Sequence, residues 1–166
     1  MTLCIAVGNP LRGDDGVGRR VLDLLESRAA LFLRVQQLTP ELSEEIARAQ
    51  NVIIIDADVT PGTPRIERIA PQQVRGSPLT HAMTPAEVVG LAVHLFGFDG
   101  EAFLCHVPGI TFDPGEGLST EAEANAHRAA ELVDYCTTLT VSSASVINPA
   151  RIADSSLQVS RQTRPK

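Results

Sequence analysis

The chain has 166 residues, of which 43% are hydrophobic and 20% are charged, as expected for a single globular domain. Its net charge of −6 argues against a nucleic-acid-binding protein, and its three scattered cysteines argue against a disulfide framework or a thiolate zinc site. We see no signal peptide and no apolar run long enough to cross a membrane, so we expect a cytoplasmic protein.

The charge is unevenly distributed along the chain. Residues 140–166 contain four basic residues and one acidic residue, whereas residues 1–139 contain 10 basic and 19 acidic residues. The last segment is also rich in Ser and Thr and has no sustained periodicity. We therefore predict one α/β domain over residues 1–139, followed by a disordered or loosely docked tail over residues 140–166.

Strands and helices alternate along the first half of the chain. Residues 52–55 are four apolar β-branched residues directly before Asp56, and they predict a central strand covered on both faces. The other predicted elements are a strand at 3–7, a helix from 17 to about 30, a strand within 31–38, a helix opening at Thr39 and Pro40, and an edge strand at 64–69.

The second half continues the alternation. Thr84 and Glu87 form a capping box before an apolar stripe that ends at Gly97. A strand is predicted at 102–107, and a second capping box, from Thr120 to Glu123, opens the last helix. The pattern predicts a three-layer α/β/α sandwich with a mainly parallel central sheet of about five strands. The apolar stripe predicted for the helix between Thr84 and Gly97 comprises Val88, Leu91, Ala92, Leu95 and Phe96.

The loop at residues 8–18 is the first candidate site, because sites in open α/β sheets gather at the carboxyl ends of strands. Gly8 and Gly13 have the spacing of a P-loop, but Asp14 and Asp15 stand where that motif carries Lys and Ser or Thr. Two carboxylates would repel a phosphate, so we predict an acidic site instead. One of the two acids can cap the following helix, and the other is a candidate metal ligand.

Asp56 is the second candidate, at the carboxyl end of the predicted central strand. Asp58 competes with it, because alternate residues of a strand point to the same side. Pro61 and Gly62 are expected to end the strand soon after Asp56, which favours Asp56 over Asp58 as the candidate ligand.

Two histidines are rivals for a third position. His106 lies near the end of a predicted strand, and His81 lies in a loop just before the capping box. Two carboxylates and one imidazole would suit a divalent ion such as nickel or zinc. The remaining side chains of interest are predicted to be surface histidines (His94, His127) and inert core cysteines (Cys4, Cys105, Cys136).

Four motifs occur in a fixed order. Residues 7–18 read VGNPLRGDDGVG, and residues 53–58, IIIDAD, are followed by Pro-Gly-Thr at 61–63. His81 precedes the amphipathic helix, and Val-Pro at 107–108 is followed by Gly-Leu-Ser at 117–119. In this order the motifs resemble those of the hydrogenase maturation endopeptidases, which trim the C-terminus of the large subunit of nickel–iron hydrogenases.

The resemblance implies an α/β/α peptidase in which Asp15, Asp56 and His81 are both the catalytic residues and the metal ligands. It therefore favours His81 over His106. It also implies that nickel arrives in the hydrogenase large-subunit precursor, whose C-terminal extension is removed after nickel insertion. Asp14 would cap the helix or support the ligands. Two alternatives stay open: a non-catalytic nickel-binding maturation chaperone, and a different protease on the same fold.

Overall fold

The computed structural model describes residues 1–25, 30–73 and 83–142, with residues 139–142 described by their backbone. The strands are β1 (Thr2–Val7), β2 (Ala30–Val35), β3 (Asn51–Asp58), β4 (Arg65–Arg68) and β5 (Glu101–Pro108). The helices are α1 (Val17–Leu24), α2 (Leu42–Ala47), α3 (Pro85–Phe96) and α4 (Thr120–Ser142), and a short 3-10 helix (Gly13–Gly16) precedes α1.

The five strands form one sheet in the order β2-β1-β3-β5-β4. β1, β2, β3 and β5 are parallel, and β4 pairs antiparallel with β5 at one edge, which confirms the predicted edge position. Buried residues of α1 and α4 form one core with the sheet, and those of α2 and α3 form a second core. The structure thus confirms the predicted three-layer α/β/α sandwich.

β3 lies at the centre of both cores. Ile53 and Ile55 belong to the core with α1 and α4, whereas Val52 and Ile54 belong to the core with α2 and α3. All four side chains are buried, because a strand covered on both faces needs apolar residues at every position.

The strand order reverses between β1 and β3, since β2 lies on one side of β1 and β3 on the other. In open α/β sheets such a switch point, at the carboxyl ends of the strands, is the usual place for a site. We use the term carboxyl edge for the end of the sheet at which the parallel strands have their carboxyl ends. Gly18 lets α1 approach it closely, because a Cβ there would lie 2.9 Å from the carbonyl oxygen of Ile55.

Two helix boundaries differ from the prediction. α1 ends at Leu24 instead of near residue 30, and Ala30 already pairs with Thr2 in the sheet. α2 begins at Leu42, because Thr39 and Pro40 form the preceding turn, in which the N–H of Leu42 donates to the carbonyl of Thr39 at 3.2 Å. Apolar spacing could not show where either helix gives way to a turn.

α3 has the predicted ends but a different buried face. Thr84 and Glu87 make the reciprocal capping box, and Gly97 ends the helix with φ 70°. The buried residues are Val88, Val89 and Ala92, and Leu91 is partly buried. The predicted stripe is wrong at its far end, where Leu95 and Phe96 are exposed.

The capping residue of α4 is Ser119, so the predicted second capping box is wrong. The Ser119 hydroxyl accepts the N–H of Ala122 at 3.1 Å. Glu123 instead pairs with Arg20 of α1, at 2.7 Å between Oε1 and Nη2. Ser and Thr are both good caps, and a contact far away in the sequence decides between them.

The two candidate caps can be compared directly. We expect Thr84→Ala to lower the free energy of unfolding by about 1 kcal/mol, because it removes the acceptor for the Glu87 N–H. Thr120→Ala is the matched control and should leave stability unchanged, since Ser119 caps that helix. Urea unfolding of both variants measures the difference, and equal losses would contradict the assignment of the caps.

α4 continues to Ser142, three residues into the predicted tail. Residues 143–166 lie outside the described residues, so the domain boundary at 139 stays a prediction. No helix in the described part of the chain is both long enough and apolar enough to span a membrane.

Candidate functional site

The loop after β1 holds Asp15 at the carboxyl edge. Gly8 has a φ of 127°, and a Cβ there would lie 1.8 Å from the carbonyl oxygen of Asp15, so only glycine fits. The N–H of Asn9 donates to Asp15 Oδ2 at 2.7 Å. The Asp15 side chain remains partly exposed.

Asp14 points inward and is fully buried. Its carboxylate accepts the N–H groups of Ile110 (2.8 Å), Thr111 (2.9 Å) and Ser119 (2.7 Å), and also the Ser119 hydroxyl (2.8 Å). Burial alone would raise the pKa of Asp14, but the bonds from Ser119, Ile110 and Thr111 outweigh burial and lower it. Asp14 therefore anchors the loop between β5 and α4. The predicted capping role is wrong, since Gly16 precedes α1 without a side-chain cap.

Asp56 lies at the same edge, near the end of β3. It is partly buried, and its Oδ1 accepts the N–H of Ala57 at 2.9 Å. Burial raises the pKa of Asp56, the bond from Ala57 opposes that shift, and the negative charge of Asp15 adds to it. The two predicted carboxylates are thus close enough to repel each other.

Asp58 is the rival carboxylate, and the structure gives it other partners. β3 continues through Asp58, so Asp58 points to the same side as Asp56, although Pro61 and Gly62 predict an earlier end of the strand. Its Oδ1 accepts the N–H of Thr60 at 2.8 Å, and its Oδ2 lies 2.8 Å from Nη2 of Arg65. The bond from Thr60, followed by the Arg65 contacts, keeps the pKa of Asp58 low. Its charge is therefore already balanced.

His106 stands opposite Asp56 in the β3–β5 register. Its Nε2 lies 2.8 Å from Oε1 of Glu67, and its Nδ1 lies 3.5 Å from Oδ2 of Asp58, so both ring nitrogens face other carboxylates. His81, the histidine preferred by resemblance, lies outside the described residues. The two histidines predicted at the surface are exposed: His94 and His127.

The described part of the chain therefore contributes two carboxylates to the predicted site. Among the described residues, no group of three His, Cys, Asp or Glu side chains could hold a metal ion. The cysteines are buried, as predicted, and burial raises the pKa of both Cys4 and Cys105 to about 12. Asp15 and Asp56 can supply oxygen ligands to a divalent cation whose remaining ligands come from elsewhere.

Main-chain hydrogen bonds join the three loops around the two acids. The N–H of Gly115 donates to the carbonyl of Leu11, and the N–H of Gly109 donates to the carbonyl of Asp58, both at 2.9 Å. A Cβ at Gly109 would lie 2.7 Å from Cβ of Asp14, so the loop after β5 passes very close to this acid. The motifs in the sequence do not predict this contact, for which the glycine at position 109 is a local signal.

Comparisons with protein-family models and with curated proteins gave no match. The fold matches several solved structures. The hydrogenase maturating endopeptidase HybD from Escherichia coli is 25% identical, with a TM-score of 0.60, and the match covers 84% of this chain and 94% of HybD. An endopeptidase from Escherichia coli solved in solution is 27% identical, with a TM-score of 0.61, over 80% of this chain and 90% of that one.

The [NiFe] hydrogenase maturation protease HycI from Thermococcus kodakarensis KOD1 has the same fold at lower identity. It is 20% identical, with a TM-score of 0.61, and the match covers 82% of this chain and 92% of HycI. The resemblance inferred from the four motifs is therefore confirmed at the level of the fold.

Proposed function

We propose that this chain, which has the fold of the hydrogenase maturation endopeptidases, is an endopeptidase of nickel–iron hydrogenase maturation that acts in the cytoplasm. It would remove the C-terminal extension of the large-subunit precursor after nickel insertion. The observation that carries the proposal is the pairing of Asp15 and Asp56 at the switch point of this fold. Two of the fold neighbours, which are 25% and 27% identical to this chain, are themselves named as endopeptidases.

The ligands proposed for the precursor's nickel are Asp15, Asp56 and His81. Burial is the main cause of the raised pKa of Asp56, and the negative charge of Asp15 raises it further. A cation between the two carboxylates would relieve this repulsion. Nickel is a part of the substrate in this scheme, and its thiolate ligands belong to the precursor. The three side chains would then hold the precursor by its metal, with the polypeptide beside it placed for cleavage.

The test is incubation of the protein with nickel-loaded and nickel-free precursor, followed by mass spectrometry. We expect a C-terminal peptide to be released from the loaded precursor alone. A stable complex without release would contradict the proposal and indicate a nickel-binding chaperone. Equal release from both forms would also contradict it and indicate a different protease on the same fold.

A further inference from the structure

Three large apolar side chains are exposed around the two candidate ligands. Leu11 is 56% exposed, Val59 is 75% exposed and Ile110 is 57% exposed. They lie on the loops that follow β1, β3 and β5, which are neighbouring strands of the sheet. We call these three residues the apolar rim.

Hydrogen bonds hold the loops of the apolar rim to one another and to Asp14, the residue before Asp15. Leu11 accepts the N–H of Gly115 through its carbonyl, and Ile110 donates its N–H to Asp14 Oδ2 at 2.8 Å. The bond from Gly109 to the carbonyl of Asp58 joins the residues next to Ile110 and Val59. These hydrogen bonds fix the rim beside the candidate ligands, through Asp14 next to Asp15 and through Asp58 two residues after Asp56.

Exposed apolar residues are common one at a time, so their grouping carries the argument. In the described part of the chain, another exposed group comprises Val93, Leu95 and Phe96 near the end of α3. That end leads into the start of β5, at the opposite edge of the sheet from the acids. This second group provides controls of the same chemistry far from the candidate site.

We propose that the apolar rim binds apolar side chains of the polypeptide segment next to the metal in the precursor, and so selects the substrate. This inference rests on the proposed function. A metal-bearing polypeptide fits both features, because the cation faces the carboxylates while its neighbouring side chains cover the rim. A second copy fits less well, since it would bring together two acidic edges of a chain with a net charge of −6.

The experiment compares Leu11→Ser, Val59→Ser and Ile110→Ser with Leu95→Ser, an exposed leucine outside the rim. Initial rates of peptide release are measured at several concentrations of nickel-loaded precursor. Each rim variant should raise KM roughly fivefold to tenfold, as expected for an apolar side chain that no longer becomes buried on binding, with kcat unchanged. Leu95→Ser should keep both constants.

Two outcomes would overturn the inference about the rim alone. In the first, the wild type releases the peptide and all three rim variants keep its KM. In the second, size-exclusion chromatography shows a wild-type dimer that the rim substitutions dissociate, which would assign the rim to a second copy. If the wild type releases no peptide from loaded precursor, the proposed function itself fails. Thermal melting of each variant, in parallel, verifies that the exposed substitutions leave the fold intact.

Discussion

Asp14→Ala is expected to lower the free energy of unfolding by about 3 kcal/mol, because it removes a buried, charged acceptor and leaves several partly buried donors without a partner. The donors are three backbone N–H groups and the Ser119 hydroxyl. Asp14→Asn should be nearly as damaging, since its amide group would direct N–H donors toward other N–H donors. Urea unfolding at pH 7 measures both losses.

The exposed Asp113, on the loop between β5 and α4 that bonds to Asp14, is the matched control, and Asp113→Asn should have little effect. The stabilisation by Asp14 should also depend on pH. Its pKa is lower in the folded protein than the usual value of about 3.9, so its contribution is complete above that value and is lost as the pH falls through the folded pKa. A loss in Asp14→Asn that does not shrink in acid would contradict this account, as would wild-type stability of Asp14→Ala.

Asp56→Asn is expected to abolish processing while the fold survives. Loss of a residue that only supports a metal ligand reduces affinity or activity by up to about a hundredfold. Removing the ligand itself should therefore reduce the rate of processing at least about a hundredfold. Stability at pH 7 should be unchanged or slightly higher, because the fold disfavours the charged form of Asp56, as its raised pKa indicates. Peptide release measured together with urea unfolding separates the two effects.

Two controls test the ligand set of Asp15, Asp56 and His81. Asp58→Asn alters a carboxylate on the same face of the same strand, and His106→Ala alters the imidazole opposite Asp56. Both should retain processing, because these side chains are engaged with Arg65 and Glu67. His81→Ala should behave like Asp56→Asn. Full activity of His81→Ala, or loss of activity in His106→Ala alone, would refute the assignment.

Local patterns predicted the central strand and both ends of α3, because their signals lie within a few neighbouring residues. The apolar stripe failed at Leu95 and Phe96, since helical periodicity does not reveal how much of a helix lies over the sheet. Ser119 and Thr120 are equivalent by local preference as caps. The structure selects Ser119, whose N–H and hydroxyl both bond to Asp14, 105 residues earlier in the chain.

The positions of the two candidate carboxylates were predictable because both lie near the carboxyl end of a strand. Asp15 follows β1 and Asp56 lies near the end of the neighbouring β3, so parallel topology brings them to one edge. The anchoring role of Asp14 could not be predicted, because all its partners lie on a loop about a hundred residues away. The choice of His81 over His106 rests on resemblance alone, although the structure shows His106 facing Glu67 and Asp58.

Besides the bonds to the Asp14 carboxylate, main-chain hydrogen bonds join the loops around the acids, as between Leu11 and Gly115 and between Asp58 and Gly109. With such a framework, the side chains that select a substrate can change during evolution without a change in the conformation of the loops. The side chains at positions 11, 59 and 110 can be exchanged while the hydrogen bonds beneath them persist. A lineage can therefore follow a diverging partner by single substitutions, without inserting or deleting residues in any loop.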